Sequence, residues 1–298
     1  MENSQIKILI SRVVYTLLFL LLFSFSGIAG GGWTAKKGEA YYKLSQWWIV
    51  SDQHFTDAGL IDPNVTSGIF NTSFYGEYGI SNRFTGIAYV PFFSRATMNN
   101  QLSETTGNII SEGDAINSFG DTDLGIKYGI LKNKRVALAA SLTFGLPLGN
   151  SAGGKEGNLQ TGDGEFNQIL KLDAGLPFSV GNIPAYANVY SGFNNRSNGF
   201  SDEYRYGAEF GLGLKDKKLW LIARITGVES LRNGTLGTDI NSTSVFANNS
   251  EFTSYSVEAA YYINTKLGVS ASFASAFRGE IIFASPSYSV GIFLDIKK

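Results

Sequence analysis

Residues 119–131, FGDTDLGIKYGIL, and 136–149, VALAASLTFGLPLG, share a period of two with opposite chemistry at alternate positions. In the first, Thr122, Leu124, Ile126, Tyr128 and Ile130 form an apolar row, while Asp121, Asp123, Gly125, Lys127 and Gly129 form a row of charges and bare backbone. Successive side chains of a strand point to opposite faces, so this is one strand between two environments. Past Lys132-Asn133-Lys134-Arg135 the pattern resumes, with Val136, Leu138, Ala140, Leu142, Phe144 and Leu146 against Ala137, Ala139, Ser141, Thr143 and Gly145. The pair reads as a hairpin. A soluble sandwich turns such an apolar row inward and a membrane barrel turns it outward, so the rest of the chain has to decide the facing.

Composition and the N-terminal segment favour the membrane. Lys7 and Arg12 flank the start of a nearly unbroken apolar run over 13–25, and Gly27-Ile28-Ala29 supplies small residues for cleavage. The run is short for a spanning helix and reads as a secretory signal peptide over 1–29, with a barrel domain over 30–298; an uncleaved N-terminal anchor is the other possibility. The sequence has no cysteine, which removes a lipoprotein anchor, disulfides, thiolate metal sites and a cysteine nucleophile. Its 35 Gly, 15 Tyr and 22 Phe stand beside 24 basic and 25 acidic side chains. With charge so balanced, nothing points to a nucleic-acid partner. No helical period is sustained after residue 29.

Strand patterns then follow one another. The first, 38–50, carries Tyr41, Tyr42, Trp47 and Trp48, expected as rings at the membrane–water interfaces. Residues 51–65, with His54, Asp62 and Pro63, read as a loop, as do 95–118, 148–163 and 229–250. Short connections near 81, 132, 178, 215 and 264 alternate with longer ones near 51, 94, 148, 194, 229 and 276. That alternation predicts an all-β, transmembrane antiparallel barrel of about twelve strands, with short periplasmic turns, long extracellular loops and both termini periplasmic. Outer-membrane lipid is then a partner of the wall. The barrel-assembly machinery is another, since the last strand alternates to Ile296, although Lys297 and Lys298 replace the usual terminal aromatic.

Several constellations carry less. Residues 149–155, GNSAGGK, imitate a phosphate loop, but Glu156 stands where Ser or Thr must bind magnesium. His54, near Ser51 and Asp52, is too close to both in sequence to imply a prepared triad, so a solvated histidine is preferred to a hydrolase. Asp163-Gly164-Glu165 and Asp121-Thr122-Asp123 lack the spacing of a calcium loop. The Asn-x-Ser/Thr sites, such as Asn71 and Asn233, would need eukaryotic secretion. No cofactor and no catalytic residue is assigned.

The informative set is the charges expected to face inward: Glu77, Asp121, Asp123, Lys127, Lys171, Asp173, Arg205, Glu209, Arg224 and Glu258. Both signs occur on successive strands, so they could pair across neighbours as a structural network or line a polar constriction that solute passes. Glycines at 125, 129, 207, 211 and 213 are expected to leave the inward surface bare, which favours the constriction.

Trp33-Thr34-Ala35-Lys36-Lys37-Gly38, then Tyr75-Gly76-Glu77-Tyr78-Gly79-Ile80 with Asn82-Arg83, then residues 120–128 and Gly145-Leu146-Pro147-Leu148-Gly149, resemble the outer-membrane proteins grouped under the meta-pathway of phenol degradation (MetA-like). That group is similar in turn to broader families of hydrophobic-compound channels. The resemblance spans nearly the whole of 30–298 and implies a channel for passive uptake of small, aromatic or otherwise hydrophobic solutes. The long polar stretch 229–250 departs from the pattern. A plugged structural or adhesive surface barrel is the alternative, and an outer-membrane hydrolase the third.

Overall fold

The computed structural model describes residues 30–103, 105–132, 134–236 and 245–297; the expected signal peptide, 1–29, lies outside them. The described chain forms β1 (Ala40–Phe55), β2 (Ile61–Gly79), β3 (Phe84–Met98), β4 (Gln101–Leu102), β5 (Ile109–Ser111), β6 (Asp114–Ser118), β7 (Thr122–Leu131), β8 (Ala137–Leu146), β9 (Asn167–Val180), β10 (Ile183–Arg196), β11 (Glu203–Leu214), β12 (Leu219–Ser230), β13 (Glu251–Tyr262), β14 (Leu267–Glu280), β15 (Ile282–Phe283) and β16 (Ser287–Ile296). β4, β5, β6 and β15 are short. The other twelve close a barrel, because β1 pairs antiparallel both with β16, from Ala40↔Ile296 to Ile49↔Ser287, and with β2, from Ala40↔Tyr78 to Phe55↔Ile61. Closure leaves the twelve-strand wall without an edge strand, which lets its backbone polar groups survive in lipid.

The hairpin β7–β8 faces as a membrane barrel requires. Leu124, Ile126, Tyr128, Leu142 and Phe144 are exposed on the outside, as are Leu170, Val189, Ile225, Val257 and Ile292 around the wall. Lys127 and Ser141, at the intervening positions, are buried inside. Apolar residues touch lipid and charges fill the interior; the chain is an integral barrel of the bacterial outer membrane.

Outward rings form two levels. Tyr42 stacks on Phe74 at 5.8 Å, and Trp48 stacks on Tyr288 at 5.8 Å. Six residues at about 3.3 Å each separate Tyr42 from Trp48, roughly 20 Å along the strand, or about 15 Å of height at the roughly 40° tilt of such strands, so both levels fall within a barrel's apolar band of about 25 Å and its borders. Tyr41 and Trp47, expected in these belts, point inward instead: they occupy odd positions of β1, so pleating turns them to the lumen, Tyr41 against Phe293 and Trp47 against the buried Ile49, Ile69 and Phe283.

Two expected loops are strand. β1 and β2 continue to Phe55 and Ile61, where His54 pairs with Asp62 and Pro63 with Gln53 across a register shift. Residues 95–118 contain the end of β3, the β4–β5 hairpin and β6. Toward the extracellular end the outward row turns polar, as at Asp52 and Arg95, while Ser51, Phe55, Ser94 and Ala96 stay buried inside, so the apolar alternation disappears from the sequence while the ladder persists. The wall is also uneven. β3 pairs with β7 only from Phe84↔Tyr128 to Tyr89↔Asp123, and pairing resumes with β6 at Ser94↔Ser118. Pro91 lies between and has no N–H to give; its carbonyl accepts from Gly120 N–H at 2.8 Å.

Candidate functional site

A cavity of about 1220 Å³ fills the barrel from the periplasmic turns at Asp216, Lys217, Asn264 and Thr265 up to Asp123 and Arg205. None of its lining residues belongs to an extracellular connection.

Rings build much of its lower wall. Tyr41 stacks on Phe293 at 5.7 Å, Tyr262 meets Phe293 edge-on at 4.9 Å, and Tyr186 lies 5.8 Å from Trp220. The inward glycines accommodate them. Tyr186 pairs in register with Gly211, Tyr190 with Gly207, Trp220 with Gly213 and Phe293 with Gly268, and in each pair the ring occupies the space a Cβ on the glycine would need. The sequence led to an expectation of bare wall at Gly207, Gly211 and Gly213; instead each receives a neighbour's ring. Gly125 and Gly129 are covered by Thr143 and Thr34.

Residues 30–38 cross the periplasmic end as a strap. Gly32 N–H donates to Asn188 Oδ1 at 2.9 Å, Ala35 N–H to Thr85 Oγ1 at 3.0 Å, Lys37 N–H to Asn82 Oδ1 at 3.2 Å and Gly38 N–H to Gly79 O at 2.8 Å. These bonds tie the strap to β10, β3 and the β2–β3 turn. Between them Trp33 lies over Gly175 and edge-on to Tyr186 at 5.8 Å, so it narrows the cavity.

Of the ten inward charges, Glu77, Asp123, Lys127, Lys171, Arg205, Glu209, Arg224 and Glu258 line the cavity. Arg224 bonds both Glu209 and Glu258, the latter at 2.8 Å, and Lys43 reaches Glu258 at 2.8 Å. Lys127 faces Glu77 at 3.5 Å. Asp173 and Asp121 do not line the cavity. The Asp173 carboxylate is folded into the wall, 3.3 Å from Lys171 and 3.5 Å from Asn188 Nδ2. Asp121 precedes β7 and anchors the 147–166 connection, accepting from Gly149 N–H at 2.9 Å and Asp163 N–H at 2.8 Å. Lys43 was missed by the sequence reading although it occupies an inward position of β1, and so were the inward rings.

A polar layer lies at the extracellular end. Arg196 contacts Glu165, Glu203 at 2.8 Å and Asp163 at 3.2 Å, and its guanidinium lies 4.4 Å from the Phe200 ring centre. Asp121 is pushed up to about 7 by burial and by the Asp163 carboxylate. Glu165 is also pushed up to about 7, chiefly by burial, against the pull of Arg196. Of the carboxylates weighed for a cation, Asp163 and Glu165 thus meet an arginine and Asp121 meets backbone N–H groups, while Asp123 lines the cavity. The GNSAGGK segment belongs to the same connection, with Gly149 N–H on Asp121 and Lys155 N–H on Asp114 at 2.6 Å.

No family profile matches the sequence, and no curated protein does. Among solved structures, an outer membrane channel from Pseudomonas putida F1 overlays with a TM-score of 0.59 at 14% identity, covering 91% of this chain and 100% of that one. The KdgM porin gives 0.45 at 8% identity over 87% of this chain and 99% of its own, and the NanC porin 0.45 at 8% over 86% and 100%. At these identities the likeness to the Pseudomonas channel is one of fold: a closed antiparallel outer-membrane barrel.

Proposed function

We propose that this chain is a passive outer-membrane channel for small solutes with an apolar, aromatic-sized body. The observation that carries this is the cavity itself, about 1220 Å³ within the barrel, with rings and charges on one continuous wall. Ligand-sized sites combine mostly apolar lining with a few placed polar groups, as this one does. The resemblance to the phenol-degradation group supports the same solute class. Diffusion down a gradient needs no energy source, only an open path past the strap and the polar layer. Single-channel recording of the purified barrel in a planar bilayer tests it: discrete conductance steps are expected, and an electrically silent, folded barrel would overturn it.

The polar layer around Arg196 favours a second reading, a barrel closed at its extracellular end and acting as a structural or adhesive surface protein. Silence in the same recording, with surface binding retained, would support that reading.

A further inference from the structure

We infer that the lumen holds an anion-binding notch for the carboxylate of a small organic acid, built by Lys171, Gly192 and Arg205. The inference rests on the channel reading for its place in transport, and on its own geometry for binding. Register puts Ser141, Lys171, Gly192 and Arg205 in one row across β8, β9, β10 and β11, since Ser141 pairs with Lys171, and Gly192 pairs with both Lys171 and Arg205. The two cations are thus two strands apart, about 10 Å between backbones at about 4.8 Å per strand. The residue between them has no side chain. All four line the cavity.

In each ion pair of this row the cation is far more exposed than its acid. The Lys171 side chain is 34% exposed and its acid, Asp173, 1%; Arg205 is 34% exposed and its acid, Glu203, 8%. Each acid is sunk into the wall and each cation is presented to the cavity. Arg205 uses Nε and Nη2 on Glu203 Oε2, at 2.9 and 2.6 Å, so other donors of its guanidinium remain. Arg is suited to a carboxylate because its planar fork matches the two oxygens. Tyr190, one inward position toward the periplasm from Gly192, closes the notch below, its ring 5.0 Å from Lys171 Nζ. Ile87, Tyr89 and Ile169 of the same cavity offer apolar surface for the body of the solute. The acid that opposes an incoming anion is Asp123 on β7, which lines the cavity and lies in the field of Arg205.

Binding can be measured without conduction. Benzoate and its neutral isostere benzamide would be titrated calorimetrically into the full folded barrel in detergent. Wild type is expected to bind benzoate at least about tenfold more tightly than benzamide, a difference of about 1.4 kcal/mol. Gly192→Asp places a carboxylate between two intact cations, where the nearest atoms to a Cβ are the Leu170 carbonyl oxygen at 3.2 Å and the Lys171 stem at 3.4 Å; it should weaken benzoate about tenfold and leave benzamide unchanged. Should that variant not fold, Arg205→Gln gives the same comparison, and Asp123→Asn should tighten benzoate. Equal affinity for the two probes, no benzoate binding to folded wild type, or benzoate affinity untouched by Gly192→Asp or Arg205→Gln would overturn the notch. A silent barrel that binds benzoate would overturn the channel and leave the notch standing; a conducting barrel that ignores benzoate would do the reverse.

Discussion

The Lys127 ammonium lies 3.5 Å from the Glu77 carboxylate inside the barrel wall, with the two side chains only 3% and 2% exposed. Tyr75 donates its hydroxyl to the same carboxylate, so the pair is fixed from a third side. Ions this deeply withdrawn are held by each other rather than by water. Lys127→Met should therefore leave an uncompensated carboxylate and cost about 3–5 kcal/mol, whereas Lys127→Met with Glu77→Gln should recover much of the loss. Urea unfolding in micelles reads both; a single variant as stable as wild type would show that the pair contributes nothing.

Facing can be tested with neighbours in sequence. Leu142 lies in register between Ile126 and Leu170 on the lipid side, and Thr143 lines the cavity. Leu142→Arg should cost about 2–4 kcal/mol near the membrane midplane and lower the yield of heat-modifiable folded barrel, while Thr143→Arg should be tolerated better. Equal yields would contradict the assigned faces.

The strap sets the periplasmic exit. Trp33→Ala removes the ring over Gly175 and leaves the four backbone bonds of the strap in place, so single-channel conductance should rise with no change in folding. Unchanged conductance in a conducting barrel would put the narrowest point elsewhere, at the Arg196 layer.

Acid should strengthen the extracellular layer. Asp121 and Glu165, both outside the spanning strands, hold their protons up to about 7, against about 4 in an unfolded chain. Groups raised in this way bind more protons folded than unfolded. Their stabilisation is complete below about pH 4 and lost as pH rises through about 7. The melting temperature should accordingly fall from pH 5 to pH 8, and fall less in Asp121→Asn. A rise over that interval would reverse the assignment.

The barrel, its facing and the alternation of its connections were legible because lipid imposes one chemistry on every outward position, from Leu124 to Ile292. The strand ends were not. His54, Asp62 and Ser94 lie in ladders at the extracellular end, where lipid no longer makes the outward row apolar and so no longer marks alternate residues in the sequence. The lumen was half legible. Charges such as Lys127 and Arg224 announce an inward position, since lipid excludes them, but a ring suits either face. Tyr41, Tyr186 and Trp220 could be assigned only once register had set a glycine or another ring beside them. Asp121 followed the inward parity of β7, yet it stands one residue before the strand begins, where the 147–166 connection claims it.

The interrupted ladder beside Pro91 gives the wall a preferred place to yield. Six residue pairs join β3 to β7, from Phe84 to Tyr89, against ten between β1 and β16. Amide protection reports local opening rather than average stability. In deuterated buffer, backbone hydrogens on both banks of this seam, Tyr89 and Asp123 foremost, should be replaced well before those of β1. Thermal opening of the cylinder would then start as a slit between these two staves, and the remaining ten would peel away from it.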